Sequence, residues 1–180
     1  MAHILTFLAE GFEEVEAVTI IDLLRRAGIT VTTVALENSR VTGAHDIIIH
    51  ADTTMKHLPD AYDGIVLPGG GLGTDNLKAS KRVLELVSTA FSGGLLCAAI
   101  CAAPLVLAKA GILRGIRATC YPGCEDQMSD ALYIEAAVVR DKNVITGKGV
   151  GTAIPFSLEV ISYIAGRSTA ERISSQIVYS

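Results

Sequence analysis

Apolar positions recur along this chain in two rhythms that take turns. HILTFLA (3–9) is a short apolar run and predicts a buried strand. EEVEAVTIIDLLRRAG (13–28) has the helical period and closes on Gly28, which predicts a first helix. ITVTTVALE (29–37) alternates with threonine as a strand does, HDIIIHAD (45–52) predicts another strand, and YDGIVLPGG (62–70) is an apolar run ending in a glycine turn. Residues 80–92 predict a helix, 94–100 a strand and 102–110 a helix. EAAVVRDKNVITG reads as two strands around a tight Asp-Lys-Asn turn, and TAIPFSLEVISYIAG and STAERISSQIV as the last helices. Strands alternating with helices imply an α/β fold with a mostly parallel sheet covered on both faces. Ligands of such folds sit beyond the carboxyl ends of the strands. Three features fall there: Glu10-Gly11, Pro68-Gly69-Gly70 and Cys101.

Cys101 stands where a predicted strand becomes a predicted helix, with Ala99, Ala102 and Ala103 around it. The pattern mimics a nucleophile elbow, in which small neighbours let a sharp strand-to-helix turn expose its central side chain. A helix N-terminus favours a thiolate, so a lowered pKa is expected, and nearby backbone N–H groups are placed to hold an oxyanion. The competing reading is a small buried residue in a small-residue turn. Cys97 reads as core.

On the first helix Phe12, Val15, Thr19, Leu23 and Ala27 fall on one arc, and Glu16 lies inside it. Glu13 and Glu14 fall outside, as solvated glutamates do. A core-facing carboxyl is costly unless paired, hydrogen-bonded or protonated, and burial raises its pKa, so Glu16 is expected to stay protonated and donate to a thiolate. Its competing roles are tilting out to water or satisfying a buried amide. A second apolar strip of Ala17, Val18 and Ile21 predicts packing on a partner chain in an isologous dimer, or burial by the C-terminal helices.

Composition narrows the functional classes. The 180 residues are half hydrophobic and 19% charged, enough for one domain with a sizeable core. A net charge of −4 with scattered Lys and Arg argues against nucleic acid. No apolar run reaches the roughly 18–20 residues that span a bilayer, and MAHILTFLAEGFEE turns acidic at once. A cytoplasmic location follows as the expectation, with Cys97, Cys101, Cys120 and Cys124 as reduced thiols. VLPGGGLGTDNL lacks G-x-G-x-x-G, so Gly69 to Gly71 are read as bringing backbone N–H groups to a bound oxyanion or as a plain loop. GKGVGTA resembles a tight turn leading into a helix. The four histidines have no metal spacing, none follows Cys101, and Cys120 and Cys124 alone make a thin case for zinc.

With Glu16 and Cys101 singled out, AEGFEEVEAVTIIDLLRRAGI, YDGIVLPGGGLGTDNL, AAICAAP and GKGVGTAIPFSLEVI resemble the ThiJ/PfpI superfamily, closest to its parkinsonism-associated deglycase branch. These stretches are spread over nearly the whole chain, which is read as a single domain, 1–180. The resemblance implies a flavodoxin-like three-layer sandwich of the class I glutamine amidotransferase-like type, a homodimer, and a nucleophilic Cys101 hydrogen-bonded to a protonated Glu16. It also implies Gly70 and Ala102 as backbone oxyanion donors, and neither metal nor organic cofactor. Members of this branch are credited with glutathione-independent glyoxalase activity, deglycation of proteins or nucleotides, oxidative-stress sensing and chaperone activity. One departure stands out. Where human-type members carry a histidine in a Thr-His-Pro segment, this chain has Tyr121, which donates a hydrogen bond but is no base at neutral pH. Protease-like members place a histidine directly after the cysteine, and Ala102 stands there instead.

The expected function is therefore a cofactor-free glyoxalase or deglycase acting on methylglyoxal-type 2-oxoaldehydes or glycated adducts. The alternative is an oxidative-stress sensor or chaperone acting through a Cys101 sulfinic acid. A glutaminase-like hydrolase would need a histidine after Cys101. A flavin carrier finds no Trp for stacking.

Overall fold

Strands buried on both faces need no polar alternation, and the apolar runs of the sequence become such strands in one sheet. The structure, a computed structural model, describes residues 2–179. In chain order the elements are β1 (His3–Leu8), α1 (Glu14–Arg26), β2 (Thr30–Ala35), β3 (Arg40–Thr42), β4 (Ile48–His50), β5 (Thr53–Thr54), β6 (Gly64–Leu67), α2 (Gly71–Ala79), α3 (Lys81–Ser92), β7 (Leu96–Ile100), α4 (Pro104–Lys109), β8 (Arg117–Ala118), β9 (Leu132–Tyr133), β10 (Val138–Asp141), β11 (Val144–Gly147), α5 (Ala153–Ala165) and α6 (Arg167–Gln176). Seven strands form one sheet in the order β10-β11-β7-β6-β1-β2-β5. Its pairs are parallel except β10 with β11, which the Asp141-to-Val144 turn joins through Lys142 at φ 53°.

One apolar layer lies between the sheet and α1, α5 and α6, with Ile20, Leu24, Phe156, Val160 and Ile173 buried in it. The other lies under α2, α3 and α4, with Leu77, Val83, Val87 and Val106. Three layers result, as the alternation of elements predicts. The chain runs from β1 outward to β2 and then returns to β6 on the other side of β1, so strand order reverses beside β1. The carboxyl ends of β1, β6 and β7 meet at that reversal.

Several elements differ from the sequence expectation. The 45–52 strand shrinks to β4, because Arg40 to Thr42 pair with it in a local antiparallel hairpin instead of leaving it to the main sheet. The glycine run conceals α2, which is held down by the buried Thr74 and Leu77. The helix after Cys101 begins only at Pro104, since residues 101–103 are turns. Strands β8 and β9 are two residues each, too short to have a period.

Candidate active site

Along β7 side chains alternate between the two layers: Cys97 and Ala99 face the α3 side, Leu96, Ala98 and Ile100 the α1 side. Continued alternation would send Cys101 toward α3. Its backbone instead adopts φ 65°, a left-handed conformation that costs a non-glycine residue of the order of 1–3 kcal/mol. That twist turns the thiol back toward the α1 layer, where Glu16 lies. Two backbone hydrogen bonds hold the elbow: Cys101 N–H donates to Gly147 O (2.9 Å) and Tyr121 N–H donates to Cys101 O (2.7 Å).

Glu16 is fully buried on α1. The buried stripe of this helix is Glu16, Ala17, Ile20, Leu23 and Leu24, rotated from the expected arc. Val15 is 53% exposed and Thr19 half-buried, while Ala17, expected on the second strip, is core. Glu16 lies on the core face all the same. Its Oε2 accepts Gly69 N–H at 2.7 Å, its buried Oε1 has no hydrogen-bond partner among the described residues, and Cys101 lies beside the carboxyl. Burial raises the Glu16 pKa from 4.5 to about 7, with the Gly69 and Cys101 contacts opposing and the Glu13 charge adding to the rise.

The expected lowering of the Cys101 pKa is not found. Burial and then the Glu16 charge push the thiol up to about 12, against the Gly70 and Ala102 N–H groups that face the sulfur and pull it down. The physical reason lies in the turn: α4 is a six-residue helix that starts three residues later, so no helix terminus abuts the thiol. Cys101 remains 9% exposed and Glu16 not at all. The cysteine keeps a small opening to solvent that the glutamate lacks.

The predicted residues thus assemble, with two changes of role. Gly70 and Ala102 present their N–H groups to the sulfur as expected, whereas Gly69 anchors Glu16 and Gly71 opens α2 at the surface. Tyr121 reaches the site by its backbone. Its ring is 52% exposed and lies over Gly149, where a Cβ would come within 3.4 Å of it.

Sequence reasoning missed a neighbouring cluster. Glu14, read as solvated, is only 3% exposed because the loop between β3 and β4 folds over the start of α1. His45 N–H donates to its Oε1 (2.6 Å), and His45 Nδ1 lies 2.9 Å from its Oε2. Burial works against the Glu14 charge, yet these contacts together hold its pKa below the usual value, and the carboxylate raises that of His45. Glu13, Glu14 and His45 gather possible ligand atoms within 4.8 Å of one another, but both Glu14 oxygens are already engaged by the loop. A contact 31 residues apart leaves no trace in a helical period. A cleft of about 490 Å³ lies beyond β1 and β2 among Glu10, Glu37, Asn38 and Asn76, away from the thiol.

No helix among the described residues is long and apolar enough to cross a membrane. Residues 2–163 match the DJ-1/PfpI family model, a span that stops short of α6. The chain is 39% identical to the protein dj-1beta of Drosophila melanogaster over 97% of this chain and 95% of that one. A crystal structure of Drosophila DJ-1beta superposes with a TM-score of 0.96 over 99% and 98% of the two chains, at 38% identity. The Parkinson disease protein 7 homolog of Danio rerio is 37% identical over 97% and 95%. A more distant relative, 30% identical over 90% of this chain and 99% of its own, is a deglycase of Pyrococcus abyssi. With its elbow cysteine, its buried glutamate and a match along nearly its full length, the chain belongs to the DJ-1/PfpI family.

Proposed function

We propose that the protein is a cofactor-free glyoxalase and deglycase whose nucleophile is Cys101. The observation that carries this reading is the fully buried Glu16 carboxyl, which lies with Cys101 against Gly69 while a left-handed backbone turns the thiol into the same layer. Two charged forms of this pair compete. A thiolate receives the Gly70 and Ala102 N–H groups and the Glu16 O–H. A carboxylate receives Gly69 N–H and an S–H, a weak donor. With Glu16 neutral, the carboxylate charge that helps push the thiol up is absent, and the more and stronger donors favour the single charge of the pair on sulfur with the proton on Glu16.

The thiolate adds to the aldehyde carbon of a 2-oxoaldehyde such as methylglyoxal, and the new alkoxide lies against the Gly70 and Ala102 amides. Glu16 first gives its proton to that oxygen; as a carboxylate it then takes the proton from the former aldehyde carbon and delivers it to the adjacent carbonyl carbon through an enediol, leaving a thioester. Water hydrolyses the thioester to lactate and regenerates the thiol, so methylglyoxal plus water gives lactate. On hemithioacetal and aminocarbinol adducts the same thiolate would take over the aldehyde fragment, which leaves as lactate, and free the unmodified cysteine, lysine or arginine. The Pyrococcus relative's name supports this extension.

The test is lactate formed from methylglyoxal without glutathione, measured from pH 5 to 9. Turnover should rise with pH through about 7, where the pair loses its first proton. No lactate at any pH would remove the reading and leave oxidation of Cys101 as the role of the site.

We also infer a homodimer. Val15, Val18, Ile47 and Ile48 are each 41–56% exposed, and Val18, Ile21 and Ile49 line one shallow surface where α1 meets the β3–β4 hairpin. A second copy covers this strip by two-fold symmetry. Light scattering on the eluting protein should give twice 18.9 kDa; a single-chain mass at micromolar concentration would refute it.

A further inference from the structure

Cys120 and Cys124 flank the turn that holds the elbow, and the mechanism uses neither. Tyr121 O accepts Cys124 N–H at 3.0 Å, Pro122 occupies the second turn position and Gly123 the third at φ 91°. These are the requirements of a type II turn over residues 121–124, which keeps the Cα atoms of Tyr121 and Cys124 within about 7 Å and so turns Cys124 back toward the residue before Tyr121, Cys120. Cys120 is fully buried in the apolar layer beneath α4, and Cys124, partly exposed, packs against the same layer. Ionisation of Cys124 is felt at Cys120. Cys97 is different: it is fully buried in β7, with its sulfur 3.7 Å from Val87 O and 3.8 Å from Leu95 O.

We propose that Cys120 and Cys124 are a redox pair, a modification site that closes a disulfide across the Tyr121-Pro122-Gly123 turn. Cys124 is the sulfur that meets the oxidant, because it is the one of the two open to solvent; burial and then Glu125 raise its pKa, with the Lys78 cation opposing them. Hydrogen peroxide converts its thiol to a sulfenic acid with release of water. The Cys120 thiol then displaces the sulfenic hydroxyl, forming the S–S bond and a second water. Two thiols are oxidised and one peroxide is reduced to two waters.

A disulfide needs the two Cβ atoms about 3.8 Å apart. Cys120 is fixed in the packed layer, so the movement falls on the exposed limb, residues 121–124. Tyr121 is in that limb, and its N–H holds the Cys101 carbonyl. Closing the turn therefore pulls on the strap of the elbow and loosens the position of the Cys101 thiol. This holds whether Cys101 turns over aldehydes or is itself oxidised.

Trypsin separates the pairs, since residues 118–140 contain both Cys120 and Cys124 and no internal Lys or Arg, while Cys97 and Cys101 fall in 83–109. Cys101→Ser protein, folded by circular dichroism, is treated with peroxide and digested without reduction. The 118–140 peptide is expected to lose two hydrogens, and free thiols to fall from three to one. A 118–140 peptide that stays reduced, gains only oxygen, or crosslinks to 83–109 overturns the proposal. The second arm oxidises the wild type with diamide, which takes two hydrogens from a thiol pair, and times alkylation of Cys101 by iodoacetamide. Cys101 is expected to react more slowly after oxidation, and Cys124→Ala to abolish the difference. An unchanged rate in the wild type with the disulfide formed overturns the coupling to the elbow.

Discussion

Replacing Cys101 by serine should lower kcat/KM for methylglyoxal by at least about 10³-fold and leave the melting transition close to that of the wild type. A hydroxyl in the same place ionises far above neutral pH, so the Gly70 and Ala102 N–H groups and the Glu16 proton are left with no anion to stabilise. An unactivated nucleophile loses most of the chemistry that a positioned thiolate supplies. Stability should barely change, because serine is nearly the size of cysteine and the site is 9% exposed. The measurement is lactate formation at pH 8 beside a thermal scan of both proteins. A serine protein retaining more than a tenth of the activity would take the sulfur out of the mechanism.

The second large effect belongs to a residue with no side chain. A Cβ on Gly69 would fall 2.6 Å from Cys101 Cβ, 2.8 Å from Glu16 Oε2 and 2.9 Å from Ile100 O. Cys101 Cβ and Ile100 O are fixed by the backbone, and Glu16 Oε2, though a side-chain terminus, is buried and held by Gly69 N–H. Gly69→Ala must therefore push Cys101 and Glu16 apart or displace β7. Overpacking of this kind costs about 1–3 kcal/mol of stability, and misplacement of reacting groups by about 1 Å can cost 10²-fold in rate. Gly71→Ala is the control, since its Cβ would meet nothing within 4 Å. Urea unfolding and lactate formation should both separate the two variants. If Gly69→Ala behaves like Gly71→Ala, the site is looser than its geometry indicates.

Much of this was readable before any coordinates. The helical period placed Glu16 on a core face, and the small residues around Cys101 announced a turn that exposes it. Both inferences rest on local rules, and local rules survive small errors of phase: the arc on α1 was misplaced at Val15 and Thr19, yet Glu16 stayed inside it. What escaped depended on contacts far apart in sequence. Glu14 is buried by a loop 31 residues away, and nothing on its own helix marks it. Helix α2 was hidden because three glycines read as loop, while the force that folds it is the burial of Thr74 and Leu77. The Cys101 pKa failed for a related reason. The sequence located a helix after the cysteine but not the three turn residues in between, and it carried no measure of how deeply the sulfur is packed.

Glu16 also bears on when this fold is most stable. A carboxyl whose pKa moves from 4.5 to about 7 on folding binds its proton more tightly in the native state, so stability falls as pH rises between those two values. At neutral pH the native chain forgoes about 3 kcal/mol that an ordinary surface glutamate would leave intact. The packing of α1 against α5 and the sheet supplies that difference. The fold is therefore expected to tolerate mild acid better than mild base, and its pH of greatest stability lies on the acid side of the pH at which the thiol is most reactive.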